Sequence, residues 1–471
     1  MSEYRRKAPS TSERRLNAIS AGYDLPEALL REYSEQEELR QRVRTFAQDT
    51  TNDLIYAMRL ISGIAGAATV VHGPRGCAMA LLDRANLSVP GAQWAVTNLN
   101  ERDTIMGSER VLRESILSLD RRYRPELIFI VTTPVVAINN DDVLTVVGEI
   151  QDEIGARLVP VFSDGFNSRV GRSGYDLVLH ALFRDLIIRA RPTSTDEPFA
   201  NLITISEHRH DREELGRLLA ALGIRVNPIP NTANRLGLEQ AAQARWSIGV
   251  NPDESEYLGV ALEQQNGVPF VQPDLPLGIA GTSRWLAAVG QAIGSETAAV
   301  AQIQAQESAA LQSTPISGAR VTVSLPTAYA FGILDLLRDL GAEAVGISVP
   351  SLDRRHLGKL EQVRDSHPGL AVHVGEGQIF EEANILKRLA PDLHLCWDEH
   401  AAVALRLGIP AVALREIGVL GYSGAKRLAT HAARALRYPA FAANLGEHAR
   451  SPYADSWYKK KPNWYIKHEV K

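Results

Sequence analysis

The feature that most constrains the fold is a regular alternation of short apolar segments with helical stretches, which runs from residue 54 to residue 435. Near-continuous apolar strands separated by helices are typical of parallel α/β sheets. The pattern therefore predicts an α/β protein. Twelve segments are predicted as strands: Thr69–His72, Leu127–Thr132, Leu158–Phe162, Leu202–Ser206, Val226–Ile229, Ser247–Asn251, Pro269–Gln272, Arg320–Ser324, Ala344–Val349, Ala371–Val374, Leu393–Cys396 and Ala411–Leu414.

The predicted strands fall into three groups, and the polar, proline-bearing stretch 301–318 is the clearest boundary between two of them. The first 50 residues are polar and charged, and 26–48 is predicted as one or two exposed helices of an arm. We predict five regions: an N-terminal helical arm at 1–53, three α/β domains at 54–195, 196–314 and 315–435, and a C-terminal tail at 436–471.

Two segments of the chain, 247–289 and 393–433, resemble one another. Each runs through a strand, an acidic loop, a helix, a Gly-Val-Pro or Gly-Ile-Pro turn, a second strand, a glycine-rich loop and a second helix. This internal sequence similarity predicts two copies of one α/β module. The glycine-rich loops lie at the carboxyl ends of strands, where open α/β sheets bind ligands, although they also suit a plain tight turn.

Composition excludes several classes of protein. The chain is 45% hydrophobic and 23% charged, which does not fit a disordered, collagen-like or disulfide-scaffold protein. The formal charge of -4 gives no sign of a nucleic-acid partner. Two distant cysteines favour a reducing, cytoplasmic location, and the polar N-terminus predicts no signal peptide.

The segment HGPRGC at 72–77 is the first candidate site. A predicted strand ends at His72, and a glycine-flanked turn delivers Cys77 to the head of a helix. The helix dipole and Arg75 would stabilise a thiolate there. The thiol could be a nucleophile, a redox thiol, an iron–sulfur ligand or an inert buried group. A whole cluster needs about four ligands, so the others would have to come from another chain.

The remaining candidates have simpler interpretations. Cys396 ends an apolar strand and is predicted to be a core residue. His208 and His210 are expected in a solvated loop, and 398–400 (Asp-Glu-His) is expected at a helix start. The segment 139–142 is predicted to cap the next helix, and the basic, aromatic tail is expected to dock on a partner subunit.

Six segments together resemble the nitrogenase component 1 family, in order along 54–435. They are VHGPRGCA (71–78), TNLNERDTIMGSERVLRESI (97–116), PELIFIVTTPVVAINNDDV (125–143), VPVFSDGFNSRVGRSGYDLVLHAL (159–182), LPLGIAGTSRWLAAV (275–289) and GYSGAKRLA (421–429).

The resemblance implies three Rossmann-like domains and an α-type subunit paired with a β-type subunit, usually as α2β2. It implies an ATP-dependent iron–sulfur reductase that docks on the pair, an iron–sulfur cluster ([4Fe-4S] or larger) at the α–β interface, and a larger cluster in the α-type subunit. Cys77 matches the family's metal-ligating cysteine. The other residues expected around the cluster are His72, Gly73, Arg75, Gly76, Thr132, Thr133 and Pro134.

This sequence departs from the family pattern at four places. No cysteine occurs at 50–70, and Pro134 stands where the family has a second cysteine. The cofactor-binding cysteine and histidine of α-type subunits would fall near Asn251 and Leu420. The resemblance therefore implies a β-type subunit that holds no catalytic metallocluster by itself. An oxygen ligand from Asn52 or Asp53 stays open.

Three functions follow from the resemblance. The chain could be the β-type subunit of a nitrogenase-like reductase, for which methylthio-alkane reductase is one candidate. It could be the β half of a cofactor-assembly scaffold, or a cluster-free structural partner. The N-terminal arm favours the reductase. The presence of only one cysteine, Cys77, among the expected cluster ligands of this chain favours the scaffold.

Overall fold

The fold is described from a computed structural model, in residues 18–35, 42–48, 52–84, 93–165, 170–190, 197–295, 300–305, 316–397 and 400–468. Sixteen strands are present: β1 Gly22–Asp24, β2 Arg42–Arg44, β3 Ala67–His72, β4 Gln93–Val96, β5 Leu127–Thr132, β6 Arg157–Val161, β7 Phe199–Thr204, β8 Arg225–Pro230, β9 Trp246–Gly249, β10 Phe270–Val271, β11 Arg320–Ser324, β12 Glu343–Val349, β13 Ala371–Val374, β14 Leu393–Cys396, β15 Ala411–Ala413 and β16 Ile466–His468.

The helices connect these strands in the expected alternation. They are α1 Pro26–Glu35, α2 Asp53–Ser62, α3 Arg75–Arg84, α4 Glu101–Met106, α5 Glu109–Tyr123, α6 Pro134–Asn139, α7 Val143–Ile150, α8 Ser173–Asp185, α9 Arg209–Ala221, α10 Arg235–Glu239, α11 Pro252–Asn266, α12 Gly278–Ile293, α13 Thr327–Asp339, α14 Leu357–Ser366, α15 Ile379–Leu389, α16 Ala401–Arg406, α17 Gly421–Arg437, α18 Ala440–His448 and α19 Asp455–Tyr458. Short 3-10 turns lie at Gln151–Glu153, Ile187–Arg189, Gln240–Gln243, Arg354–His356 and Pro462–Tyr465.

Three sheets are built from parallel strands, which confirms the predicted α/β class with Rossmann-like sheets. The first has the strand order β4-β3-β5-β6, the second β10-β9-β7-β8 and the third β1-β13-β12-β11-β14-β15. Only β1 runs antiparallel to its neighbour in these three sheets. The parallel strands of each sheet lie within one predicted domain, whereas β1 of the third sheet comes from the predicted arm. The exact domain boundaries stay a prediction.

The described chain forms two compact units. One lies within 51–206 and 224–272 and holds the first two sheets, and the other lies within 17–50, 207–223 and 273–471 and holds the third. In the first unit, alternate residues of β5 enter two different cores. Phe129 packs with α2 and α8, whereas Ile130 packs with α5 and α7. This alternation is what a strand buried on both faces requires.

The described residues of the arm between 18 and 48, and those of the tail, belong to the second unit. The predicted arm helix is present as α1, but Leu29 and Tyr33 of that helix are buried rather than exposed. The tail packs on its own chain: β16 pairs with β2, and the ring of Tyr465 contacts the rings of Phe46 and Phe380. Residues 1–17 of the predicted arm and 306–315 of the predicted linker lie outside the described residues.

Candidate functional site

The first sheet has a topological switch point between β3 and β5. The chain leaves β3 to form β4 on one side and then returns to form β5 on the other side. The loops after these two strands therefore diverge and leave a crevice at their carboxyl ends, which is where open α/β sheets bind ligands. The predicted site residues 72–77 and 132–134 come from these two loops.

The turn after β3 is held by two threonines. Thr133 donates its hydroxyl to the carbonyl of His72 over 3.0 Å, and its own N–H bonds to the same oxygen at 3.1 Å. Thr97 accepts the N–H of Gly73 at 2.8 Å. A Cβ on Gly73 would lie 2.0 Å from Oγ1 of Thr133, so this position has room only for glycine. The predicted residues Gly73 and Thr133 are thus packed against each other.

Cys77 lies in the first turn of α3 and is half-buried. Its N–H bonds to the carbonyl of Pro74 at 3.1 Å. Arg75 and Gly76, just before it, are exposed. A Cβ on Gly76 would meet no described atom within 4 Å. The backbone next to Cys77 can therefore be approached closely from outside.

Thr132 and Pro134 form the other side of the crevice. The hydroxyl of Thr132 donates to the carbonyl of Ser163 at 2.7 Å and accepts the N–H of Ser163 at 3.0 Å, which joins β5 to the loop after β6. Pro134 is the first residue of α6, where its missing N–H costs nothing. A Cβ on Gly165 would lie 2.8 Å from the ring of Pro134.

The two alternative oxygen ligands are used at the start of α2. Asn52 caps this helix by accepting the N–H of Ile55 at 3.2 Å. Asp53 is only 4% exposed, and burial, together with the nearby Asp164 carboxylate, raises the pKa of Asp53. Both side chains therefore serve the helix start in this arrangement.

His72 lies beneath the turn and is fully buried. Its Nδ1 is 3.2 Å from Oγ1 of Thr97 and its Nε2 is 3.1 Å from Oγ of Ser108. Ser108 in turn donates to Asp141. Burial lowers the pKa of His72 to about 4, against a smaller opposing effect of Glu109, so the ring is neutral at pH 7. With both nitrogens engaged, His72 supports the turn from below.

Sequence reasoning missed Thr97, Ser108 and Asp141 as site residues. Thr97 directly follows β4, Ser108 precedes α5, and Asp141 lies between α6 and α7. Only the fold brings these three residues to His72. Asp141 also lines a cavity of about 360 Å³, together with Asn140, Asp142, Ser163 and Asp164. The cavity is therefore polar and acidic.

Several large apolar side chains are exposed around this edge of the first sheet. Those on helices that follow its strands are Met79 (51% exposed), Ile105 (80%), Met106 (76%), Ile138 (72%) and Leu144 (39%). Large apolar side chains exposed to solvent are common on surfaces that another protein covers.

The other sequence candidates are placed as follows. Cys396 is buried in β14 as predicted, with Sγ 3.7 Å from the carbonyl of Val412. His208 caps α9 by accepting the N–H of His210. His400 lies 2.5 Å from the buried carboxylate of Glu382, and residues 398–399 lie outside the described residues.

The two positions at which the resemblance led us to expect α-type cofactor ligands are both internal. Asn251 is 1% exposed and caps α11 through the N–H of Asp253 at 3.1 Å. Leu420 is fully buried and precedes α17. Within the residues that the structure describes, no three His, Cys, Asp or Glu side chains come together as a metal site. No helix in that part of the chain is long and apolar enough to cross a membrane.

Comparisons with known proteins agree on one family. The model of the family described as nitrogenase component 1 type oxidoreductase matches residues 53–437. The nitrogenase iron-molybdenum cofactor biosynthesis protein NifE of Methanococcus maripaludis is 25% identical over 378 residues, which cover 77% of each chain. One of the subunits of the light-independent protochlorophyllide reductase of Methylobacterium radiotolerans is 25% identical over 374 residues, covering 76% of this chain and 69% of the relative.

A solved structure shares the fold. The structure titled "Nitrogenase Cp1 at pH 5" superposes with a TM-score of 0.72 and 16% identity, covering 95% of this chain and 98% of the other.

Proposed function

Because the chain belongs to the nitrogenase component 1 family, we propose that it is the β-type subunit of a nitrogenase-like two-component reductase. Cys77 binds one iron of an iron–sulfur cluster that is shared with an α-type partner. The observation that carries the proposal is the half-buried position of Cys77 at the switch point of the first sheet, beside backbone that is open to approach.

The residues present fit one ligand of a shared cluster. A thiolate is the usual protein ligand of such clusters. Cys396 is buried in the third sheet, and no metal-binding group of three side chains occurs in the described residues. The remaining ligands therefore come from the partner. When bound, the cluster supplies one-electron storage and transfer.

Each neighbouring residue has a definite part in this proposal. Gly73 and Thr133 hold the turn in one conformation, and Gly76 leaves space beside the thiol. Arg75 is exposed and adds positive charge where a cluster would carry negative charge. Thr132 and Pro134 fix the opposite wall of the crevice. His72 holds the turn from below, through Thr97.

The β-type assignment rests on Asn251 and Leu420. Both are internal, and the side chain of Asn251 is engaged as a helix cap. Neither supplies the thiolate or imidazole that the α-type position needs. The catalytic metallocluster is therefore in the α-type subunit, which receives electrons through the shared cluster.

The partners proposed are an α-type subunit, in an α2β2 assembly, and an ATP-dependent iron–sulfur reductase. The support in this chain is the group of exposed apolar side chains at the same edge of the first sheet as Cys77, among them Met79, Ile105 and Ile138. Covering them removes apolar surface from water, which favours association.

The test is anaerobic co-purification with the product of the neighbouring α-type gene, followed by iron analysis and EPR. Cys77→Ala should remove the interface cluster and leave the complex folded. Cys396→Ser is the matched control and should retain all iron. Unchanged iron content and an unchanged EPR spectrum in Cys77→Ala would refute the proposal, and no iron in any preparation would leave a cluster-free structural partner.

A second candidate is one half of a cofactor-assembly scaffold. The observation that favours it is the similarity to proteins named for iron-molybdenum cofactor biosynthesis. The two functions differ in where additional iron goes. A scaffold should transfer its additional iron to a separate apo-acceptor protein, whereas a reductase should retain that iron while it turns over with the ATP-dependent reductase.

A further inference from the structure

The strand β4 forms one edge of the first sheet. It pairs with β3 on its inner side, in the order β4-β3-β5-β6. The pairing continues past the end of β4, because the N–H of Thr97 bonds to the carbonyl of Val71 and the N–H of Leu99 bonds to the carbonyl of Gly73, both at 3.1 Å. Within the part of the chain that the structure describes, no strand pairs with the outer side of β4, whereas β1 covers the outer side of β13 in the third sheet.

Alternate residues of β4 direct their backbone groups away from β3. In a parallel ladder, every second residue bonds to the neighbouring strand, and the residues between them point the other way. Because Thr97 bonds to β3, Ala95 belongs to the inner set, and Trp94 and Val96 belong to the outer set. The N–H and C=O groups of Trp94 and Val96 therefore lie along the outer edge of the sheet, where a further strand could bond to them.

Two cavities flank this edge, one on each face of the sheet. A cavity of about 510 Å³ lies on the face covered by α2 and is lined by Ile61 of that helix. A cavity of about 310 Å³ lies on the face covered by α5 and is lined by Val111 of that helix. Trp94 and Tyr123 line both cavities. The side chains of β4 divide in the same way, since Trp94 packs against the core that includes α2 and Ala95 packs against the core that includes α5.

The two cavities fit the side chains of one added strand. Such a strand would lie about 4.8 Å outside β4, and its successive side chains would point to opposite faces of the sheet. A side chain beside Trp94 would enter the cavity next to α2, and the next side chain would enter the cavity next to α5. Backbone pairing together with pockets for alternate side chains is how sheet edges recognise extended peptides.

The lining of the cavities indicates the chemistry of that strand. Both cavities have apolar walls, and each carries one exposed residue of either charge at its rim. These residues are Arg124 and Glu126 in the first cavity, and Arg122 and Glu114 in the second. Because the charges balance, neither rim favours an acidic or a basic ligand. An extended segment with apolar side chains and little net charge fits best.

We propose that such a segment of the α-type partner subunit binds the outer edge of β4 as a fifth strand of the first sheet. This inference rests on the proposed function, which supplies the partner. The exposed apolar surface assigned there to the partner continues from this edge, because α4 directly follows β4 and carries Ile105 and Met106. Leu99, between β4 and α4, bonds to Gly73 in the turn before Cys77. The added strand thus brings the partner's backbone to the same side of the sheet as that turn.

The first measurement is amide hydrogen exchange, resolved to single residues, of the free chain and of the anaerobic complex with the α-type partner. In the free chain the amides of Trp94 and Val96 should exchange rapidly, and in the complex they should slow by about tenfold or more. The amides of β6, at the opposite edge of the same sheet, are the control and should not change. Slow exchange of Trp94 and Val96 in the free chain would overturn the proposal, because the chain itself or a second copy would then cover the edge.

The second measurement is the affinity of variants for the α-type partner. Val96→Pro removes an outward N–H and keeps the bonds to β3, since proline is tolerated where the N–H faces away from the sheet. It should weaken binding by about tenfold. Val96→Ala keeps the N–H and is the matched control, with an affinity within about threefold of the wild type.

A second pair of variants tests the cavity next to α5 without changing the strand. Ser118 is exposed on α5 and lines this cavity, so Ser118→Trp should fill it and weaken binding by about tenfold. Arg121→Trp places the same ring on the exposed side of α5, outside both cavities, and should bind like the wild type. Because both changes are on the helix surface, neither should unfold the chain.

The outcomes separate this inference from the proposed function. An iron-containing complex in which Trp94 and Val96 exchange as in the free chain, or equal affinities of Ser118→Trp and Arg121→Trp, would refute the added strand and leave the shared cluster in place. Protection of both amides in a complex without iron would refute the cluster and support the strand. Failure of the chain to associate with the α-type partner would refute both.

Discussion

Leu277 and Leu420 form an antiparallel bridge with each other, although 142 residues of chain separate them. Each is followed by a glycine with positive φ that begins a long helix: Gly278 (φ 71°) begins α12 and Gly421 (φ 73°) begins α17. The N–H of Gly421 also bonds to the carbonyl of Pro276 at 2.8 Å. The two glycine-rich loops that resemble each other in sequence are therefore paired directly in space.

This pairing predicts that Gly421 is much less tolerant of substitution than an ordinary left-handed glycine. A Cβ on Gly421 would lie 2.3 Å from Cγ of Glu214, so Gly421→Ala should cost about 3 kcal/mol of unfolding free energy through overpacking and backbone strain. Gly369→Ala is the control, because Gly369 has a similar φ of 87° with no described atom within 4 Å of its Cβ. It should cost about 1 kcal/mol. Urea unfolding of both variants tests this, and equal losses would contradict it.

The two glycines of the turn before Cys77 should respond differently to substitution by alanine: one change should lower stability, and the other should lower iron retention. Gly73→Ala places a Cβ 2.0 Å from Thr133 and should destabilise the chain by about 3 kcal/mol. Gly76→Ala meets no described atom within 4 Å, so the unfolding free energy should change by less than about 1 kcal/mol. Under the proposed function, Gly76→Ala should nevertheless reduce the iron retained by the complex. Denaturant titration and iron analysis test the two effects separately, and full iron retention would argue against a cluster beside Gly76.

Asp211 predicts a pH-dependent stability. Burial raises its pKa to about 7, against the opposing hydrogen bond from the N–H of Leu420 and the charge of Arg427. Folding therefore favours the protonated carboxyl, and this group's contribution to stability is lost as pH rises from about 4 to about 7. An amide keeps the oxygen that accepts the Leu420 N–H and has no charge to bury.

Asp211→Asn should accordingly stabilise the chain at pH 8, by about 2 kcal/mol, and have little effect at pH 4. Thermal or urea unfolding across this range measures the difference. Glu213→Gln, on the exposed side of the same helix, serves as the control with the opposite sign: the hydrogen bond from Arg209 lowers the pKa of Glu213, so this change should slightly destabilise the chain at pH 8. A gain for Asp211→Asn that is the same at pH 4 and pH 8 would show that the carboxyl does not titrate in this way.

The ion pair between Arg44 of the arm and Glu381 should contribute strongly to the unfolding free energy. Its guanidinium contacts both carboxylate oxygens of Glu381, at 2.7 and 3.1 Å, and Glu381 also accepts from the buried His373. Arg44→Met leaves the carboxylate without its charge partner and should cost about 3 kcal/mol. Adding Glu381→Gln should recover part of this loss, as a double-mutant cycle of urea unfolding would show. Additive losses would mean that the pair does not interact.

Most of the fold could be predicted from the sequence, because buried parallel strands are continuous apolar segments. All twelve predicted strands are present, and the bounds of β5, β11, β13 and β14 match the prediction. The strands β1, β2, β4 and β16 were missed. They are three or four residues long, and none is fully buried, so they carry no clear apolar pattern. Their pairing depends on neighbours far away in the chain.

The site residues could be predicted only in part. Thr133 stands out because it directly follows a strand end, and Cys77 stands out because it lies in the first turn of a helix after a glycine-flanked turn. Ser108 and Asp141 do not stand out, because a serine before a helix and an aspartate in a polar loop are ordinary cap residues. The segment 139–142 was interpreted as a cap, and Asp142 does cap α7 through Thr145. Its neighbour Asp141 is instead bonded to Ser108, which only the fold could reveal.

The antiparallel strand β1 has a consequence for the behaviour of shortened forms of this protein. Gly22–Asp24 occupies the outer edge of β13, whose backbone groups would otherwise be free to pair with another molecule. Exposed sheet edges of this kind promote aggregation. A chain that begins after residue 25 would present β13 as a bare edge and should self-associate, whereas the full-length arm keeps that edge closed. By pairing with β13, the arm prevents association of the third sheet with other molecules through that edge.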